Sequence, residues 1–291
     1  MKTCLITGTT SGIGLATVRA LAKAGLNVVM ASRNLPRANL VEDHLKKTTG
    51  NTHVSIIGCD LSSLDSVRLC AETFLERHDR LDLLVNNAGM MTNKQALSSD
   101  GIELTFATNY LGPYLLTRML LERLQESSEG RIVNVASGIH RMVKILPLDD
   151  LTHGNRYWGM KAYARAKLAN VMSTFSLARS LKGTSVTANC LHPGGVASNL
   201  LPENTILRSA AKLVQRFMMD AERGSQTSVH LALSQELKGV SGKYFDANHK
   251  IVDASALALN EHAQDELRQF SERLLADHFG PDSDLRIALP T

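Results

Sequence analysis

This 291-residue chain has no run of basic residues, no long apolar stretch and no paired cysteine spacing. Each absence removes a class of function. With no Lys/Arg run and a formal net charge of only +4, the sequence makes no case for a nucleic-acid partner. A membrane-crossing helix needs about 18 or more consecutive apolar residues, so no transmembrane segment is expected. The first apolar run, Cys4-Leu5-Ile6, starts almost at Met1 and is broken by Gly8, which leaves no room for a signal peptide. Cys4, Cys59, Cys70 and Cys190 follow no metal-ligand pattern, and three of them lie in apolar, strand-like runs. They read as buried, reduced thiols. A reducing compartment follows, and the expected location is the cytoplasm. Repeats, linkers and low-complexity blocks are also missing, so one domain over 1–291 is expected.

What is present is ordinary for a globular enzyme, with 44% apolar and 21% charged residues. Short apolar runs at 3–7, 27–32, 53–58, 81–86, 131–136, 185–190 and 242–245 read as strands. Helical patterns lie between them, at 12–24, 37–47, 64–77, 105–125, 160–181 and 224–234. This alternation predicts an α/β fold: a Rossmann-type, doubly wound parallel sheet of about seven strands, with helices on both faces. Ligands then bind above the carboxyl ends of the strands. Two stretches break the rhythm, 137–159 and 194–223, and long irregular segments of this kind are usually lids or binding loops.

The first strand runs into Thr7-Gly8-Thr9-Thr10-Ser11-Gly12-Ile13-Gly14 and then a helix. Glycines there permit a tight turn and let backbone N–H groups approach a pyrophosphate at the helix N-terminus. Further along, Tyr163-Ala-Arg-Ala-Lys167 lies in a helical stretch, where i, i+4 spacing puts Tyr163 and Lys167 on one face. A tyrosine titrates near ~10, and a neighbouring ammonium would lower that value toward neutral pH. Ser137 directly follows the fifth strand and so faces the crevice. Four residues after Asn109 comes Pro113, which has no N–H to offer the Asn109 carbonyl. That carbonyl is expected to be free at a kink, unless Pro113 simply starts a helix.

These motifs together resemble the short-chain dehydrogenase/reductase family. The Gly-rich turn is similar to its T-G-x-x-x-G-x-G element, and Asn86-Asn87-Ala88-Gly89 to its N-N-A-G element. Local features resemble its retinol-dehydrogenase-like and protochlorophyllide-reductase-like branch: Arg33, Asn109-Tyr-Leu-Gly112, Tyr163-Ala-Arg-Ala-Lys-Leu-Ala-Asn170, Cys190-Leu-His-Pro-Gly194 and Ser241-Gly-Lys-Tyr-Phe245. The long step from Ser137 to Tyr163 fits that branch, and 146–151 resembles its insertion. The resemblance implies a catalytic set of Asn109, Ser137, Tyr163 and Lys167, with Asn109 holding a water that relays protons to the Lys. It implies cofactor contacts from Gly8, Thr10, Ser11, Gly12, Ile13 and Gly14 in the turn, and from Asp60 and Leu61 beside the adenine. Asn87, Ala88 and Gly89 would pass the ribose. Tyr163 and Lys167 would meet the nicotinamide end with Pro193, Gly194, Val196 and Ser198. His140 and His192 read as structural, because Tyr163 and Lys167 already fill the acid/base role.

The nucleotide-binding part would cover about 1–136 and the catalytic and substrate part about 137–291. At the end of the second strand a carboxylate would repel a 2′-phosphate. This chain has Arg33 there, with Arg37 behind it, so NADP (NADPH) is the expected cofactor. The expected partner is a small apolar carbonyl or alcohol, such as a retinoid, a lipid aldehyde or a steroid-like ketone. The resemblance also allows a homodimer. Rival readings are an NADPH-dependent double-bond reductase and a non-catalytic nucleotide-binding regulator. Ile206, Leu207, Ala210, Leu213, Val214, Phe217 and Met218 recur at helical spacing within 200–219, a stripe that reads as a lid, as core or as a membrane-surface helix. Met90, Met91, Ile139, Met142 and Val143 are expected to form apolar walls of the same crevice.

Overall fold

The structure, a computed structural model, describes residues 1–153, 157–194 and 221–280. Seven strands form one sheet: β1 Thr3–Thr7, β2 Asn27–Ser32, β3 Val54–Gly58, β4 Leu83–Asn86, β5 Gly130–Val135, β6 Val186–Leu191 and β7 Tyr244–Phe245. Every pairing is parallel, in the order β3-β2-β1-β4-β5-β6-β7. The order reverses between β1 and β4, and in open parallel sheets that reversal opens a crevice at the carboxyl edge. A parallel sheet is covered on both faces, so its central strands are apolar throughout rather than alternating. β1 and β4 are buried along their whole length.

Side chains still alternate between faces with period 2. Cys4, Ile6, Val28 and Met30 enter one core, packed by Val18 and Leu21 of helix α1 Gly12–Lys23 and Leu45 of α2 Leu35–Thr49. Leu5, Val29, Leu84 and Ile132 enter the other, packed by Val67, Cys70 and Phe74 of α3 Leu64–Arg77. The expected helix over 105–125 is not continuous. It consists of α4 Leu104–Phe106, a π-helical turn Ala107–Leu111, α5 Gly112–Met119 and α6 Leu121–Gln125. Pro113 lies in the first turn of α5, straight after the π turn. Both sequence readings of it, kink and helix start, hold together.

Beyond β5 come α7 Asp150–His153 and the long helix α8 Gly159–Ser180. The final described elements are α9 Ala221–Leu233, α10 Ala256–Leu259 and α11 Glu261–Phe279. The last of these has no counterpart in the sequence reading. Its buried contacts come from Gln264, Leu267, Phe270, Ser271 and Leu275, a face polar at two of five positions and therefore faint as a pattern. Its start is signalled only by Asn260, whose side chain accepts from the Ala263 N–H and caps the helix. All four cysteines are buried and free, as expected. Among the described residues no helix is long and apolar enough to cross a membrane.

Candidate active site

The carboxyl edge of the sheet collects most of the residues singled out in the sequence. At the reversal point, the Asn87 amide donates to the Thr7 and Gly8 carbonyls at 2.9 and 3.1 Å. The N–H groups of Asn87 and Ala88 donate to the Thr7 hydroxyl at 3.1 and 3.0 Å. The turn after β1 and the loop after β4 are thus clasped together. No side chain would fit between them: a Cβ on Gly14 would lie 1.9 Å from the Gly8 carbonyl oxygen. Ser11 precedes α1 in extended conformation, and its side chain does not cap the helix. The first turn of α1 carries no acidic residue, and a Cβ on Gly12 would meet nothing within 4 Å. A bare helix N-terminus facing open space is a cradle for an anion, so Gly8, Thr10, Ser11, Gly12, Ile13 and Gly14 fit a dinucleotide pyrophosphate.

Farther along the edge, Arg33 follows β2 and Asp60 follows β3. Their charged groups are 3.9 Å apart, with the Arg33 side chain 69% exposed. So loose and wet a pair leaves the guanidinium available to a phosphate. One Asp60 oxygen is held by the Ser62 N–H and hydroxyl, at 3.0 and 2.7 Å. Leu61 is buried, and its carbonyl packs so closely on Gly112 that a Cβ there would sit 2.2 Å away. Arg37 is exposed on α2, and its own N–H is taken by the Asn34 cap.

At the catalytic end, Lys167 is 2% exposed and donates to the Val135 carbonyl at 2.7 Å. Its Nζ lies over the Tyr163 ring, 5.7 Å from the centroid. The Tyr163 phenol lies close enough to the Ser137 hydroxyl for the two to interact. Gly89 leaves the space beside this pair, since a Cβ on it would be 3.3 Å from Lys167 Nζ and 3.8 Å from Asn109 Oδ1. Burial pushes Tyr163 up to about 12, and the neighbouring Ser137 hydroxyl opposes it. Burial brings Lys167 down to about 8. The expected lowering of the phenol by the ammonium is therefore corrected. The ammonium faces the ring and spends a proton on Val135, and desolvation dominates the phenol.

Asn109 sits in the π turn, where the Gly112 N–H reaches back to Ala107 instead of the usual fourth residue. Its side chain forms a closed pair with Met90: Nδ2 donates to the Met90 carbonyl and Oδ1 accepts the Met90 N–H, each at 2.7 Å. The expectation of a free Asn109 carbonyl is also corrected. It accepts the Asn170 side-chain amide at 2.9 Å. In the sequence Asn170 stands out only as the last residue of the Tyr163–Asn170 motif. The signal for it was its i+3 spacing from Lys167, on the same helix face.

His140 is fully buried, with Nδ1 at 2.7 Å from the Ser137 carbonyl and Nε2 accepting the Ser255 N–H at 3.2 Å. Both nitrogens are engaged in the neutral ring, which fits a structural role. His192 stacks on Tyr244, whose ring also meets His140 edge-on. Pro193 and Gly194 follow β6 at the same edge, with Gly194 at φ +84°. Val196, Ser198 and the stripe over 200–219 lie outside the described residues. Of the expected apolar walls, Val143 is buried, Met90, Met91 and Ile139 are half-buried, and Met142 is exposed. A small cleft lies between α5, α8 and α11, lined by Asn86, Tyr114, Asn134 and Asn170 among others.

A family model described as short chain dehydrogenase matches residues 2–206. The chain belongs to the short-chain dehydrogenase family. It is an NAD(P)-dependent oxidoreductase of that family, and its retinol dehydrogenase homologues act on CH–OH groups. It is 39% identical to retinol dehydrogenase 12 of Mus musculus over 94% of this chain and 86% of the relative. It is 37% identical to the chloroplastic short-chain dehydrogenase TIC 32 B of Brassica napus, over 94% and 88% of the two. Among solved structures it resembles an uncharacterised protein from Mycobacterium paratuberculosis, with TM-score 0.75 and 30% identity over 94% and 93% of the chains. The retinol-dehydrogenase-like character expected from the sequence is that of these relatives.

Proposed function

We propose that this short-chain dehydrogenase is NADP-dependent and interconverts an apolar alcohol and its carbonyl, with Tyr163 as the general acid/base. The observation that carries the reading is the meeting of Ser137, Tyr163 and Lys167 at the end of β5, beside Gly89 and Asn109. The uncapped start of α1 would hold the pyrophosphate, and Arg33 would take the 2′-phosphate. NADPH, when bound, supplies the hydride from C4 of its nicotinamide. For reduction, the Ser137 and Tyr163 hydroxyls hold the carbonyl oxygen, and Tyr163 Oη gives it the proton. Lys167, a buried ammonium one helical turn away, opposes the burial cost of the phenolate that this leaves without outweighing it. Oxidation reverses these transfers.

The apolar character of the substrate is supported by the half-buried Met90, Met91 and Ile139 and by the names of the retinol-dehydrogenase relatives. The cytoplasmic location read from the sequence stays part of the proposal, as does a homodimer. NADPH oxidation against a panel of retinoid and lipid aldehydes, short aldehydes, ketones and enones tests the reading. Turnover of aldehydes or ketones supports it. Turnover of enones alone, by reduction of the double bond, would make the protein a double-bond reductase. No turnover despite tight NADPH binding would make it a nucleotide-binding regulator.

A further inference from the structure

Four polar side chains occupy one stripe of α8, namely Tyr163, Lys167, Asn170 and Thr174, at steps of four, three and four residues. That spacing aligns them on one face of the helix. A helix packed on a sheet normally presents apolar groups there, yet Lys167, Asn170 and Thr174 are 2%, 8% and 0% exposed. Each has a defined partner on the opposing elements. Lys167 donates to Val135, Asn170 donates to the Asn109 carbonyl, and Thr174 accepts from Asn134. Their burial is compensated bond by bond.

Asn170 solves a particular problem. Pro113 has no N–H, so the Asn109 carbonyl lacks the donor that an α-helix would provide four residues on. The π turn passes the next available N–H, that of Gly112, to Ala107. The Asn170 amide enters from another helix, 61 residues distant in sequence, and gives the Asn109 carbonyl a donor. The same turn holds the Asn109 side chain, which fixes Met90 and borders the same space beside Gly89 that Lys167 Nζ borders, 3.8 and 3.3 Å from where a Cβ there would sit.

We infer that Asn170 is a positioning residue of the catalytic site, standing in for the peptide N–H that Pro113 lacks and thereby holding the π turn and Asn109 in register with Lys167. The inference rests on the reading of Tyr163 and Lys167 as catalytic, and two kinds of readout keep the two apart. The first is structural and needs no turnover. Hydrogen exchange of the Met90 N–H, which the Asn109 side chain accepts, should quicken about tenfold in Asn170→Ala, the effect of loosening one hydrogen bond. Thr174→Val, one turn further along the stripe and tied to Asn134 instead, should leave that exchange unchanged even if it lowers the Tm.

The second readout is kinetic. Asn170→Ala should lower kcat about 10- to 100-fold, the scale of a sub-ångström misplacement, with KM and NADPH affinity within about twofold. In Asn170→Asp only the protonated carboxyl can donate to the Asn109 carbonyl. Its kcat relative to the parent should therefore rise by about threefold or more as pH falls from ~8 to ~5.5. Wild-type exchange at Met90 in Asn170→Ala would overturn the inference. So would equal kcat losses in Asn170→Ala and Thr174→Val, or an Asn170→Asp enzyme whose kcat ratio is flat with pH. If Asn170→Ala does not fold, Asn170→Asp against Thr174→Val decides. If Tyr163→Phe retains activity, the catalytic reading fails while the exchange result still judges Asn170.

Discussion

At the nucleotide end of the crevice the decisive atoms belong to the backbone: the Gly8 carbonyl against Gly14, the bare first turn of α1, and the carbonyls of Thr7 and Gly8 that Asn87 grips. At the catalytic end they belong to buried side chains that reach across long stretches of sequence, from Lys167 to Val135 and from Asn170 to Asn109. The first end works by lacking side chains, and the second by having polar ones where apolar ones would be cheaper. Binding and chemistry should therefore fail separately.

The sharpest separation is expected from Tyr163→Phe. It keeps the ring over which Lys167 lies and removes only the proton donor, so kcat should fall by about 10²–10⁴ while NADPH affinity stays within about twofold. Stopped-flow turnover and fluorescence titration measure the two sides, and activity within about tenfold of the parent would end the assignment. Next in size is Gly14→Ala. Its Cβ meets the Gly8 carbonyl oxygen at 1.9 Å, a backbone contact that no rotamer relieves. A loss of about 3 kcal/mol in stability is expected, with weakened NADPH binding, by denaturant titration and calorimetry. A stable, tight-binding Gly14→Ala protein would mean that the turn is not the cradle described.

Arg33→Ala should cost about 1.5–3 kcal/mol in NADPH binding and leave NADH almost unchanged, as expected for one charge-assisted contact. Equal losses for both cofactors would remove Arg33 from 2′-phosphate recognition. The smallest expected effect concerns pH. Burial holds His140 below its ordinary value, ahead of the opposing Ser137 bond, so the folded chain binds this proton less readily than the unfolded one. The stability it contributes is present above the ordinary histidine value of about 6.5 and is lost as pH falls from there toward the lowered value. His78, His192 and His230 are lowered too, so acid weakening is shared. His140→Gln should show a smaller drop in Tm between pH ~7 and ~5.5 than the parent. An identical drop would take His140 out of the account.

What could be read in the sequence divides along the same line. The strands and the glycine turn were legible because they depend on local runs and on residues defined by what they lack. Ser137, Tyr163 and Lys167 were legible because a strand end and an i, i+4 step place them. The Asn170–Asn109 bond was not, since a carbonyl missing its donor does not say which of many polar side chains will supply one. Nor was the phenol's upward shift, because spacing reports that Lys167 is near Tyr163 but not that its ammonium turns to Val135. α11 escaped because its buried face mixes Gln264 and Ser271 with Leu267, Phe270 and Leu275.

The close seat of the Leu61 carbonyl on Gly112 has a bearing on redesign. Gly112 closes the π turn, and Leu61 adjoins Asp60, which faces Arg33. The surface that would discriminate between two cofactors and the turn that carries Asn109 thus share a rigid hinge point with no slack for even a methyl group. An engineer who remodels 60–61 to accept another nucleotide is also leaning on the turn that aligns the chemistry, so cofactor choice and turnover in this fold are not independent dials.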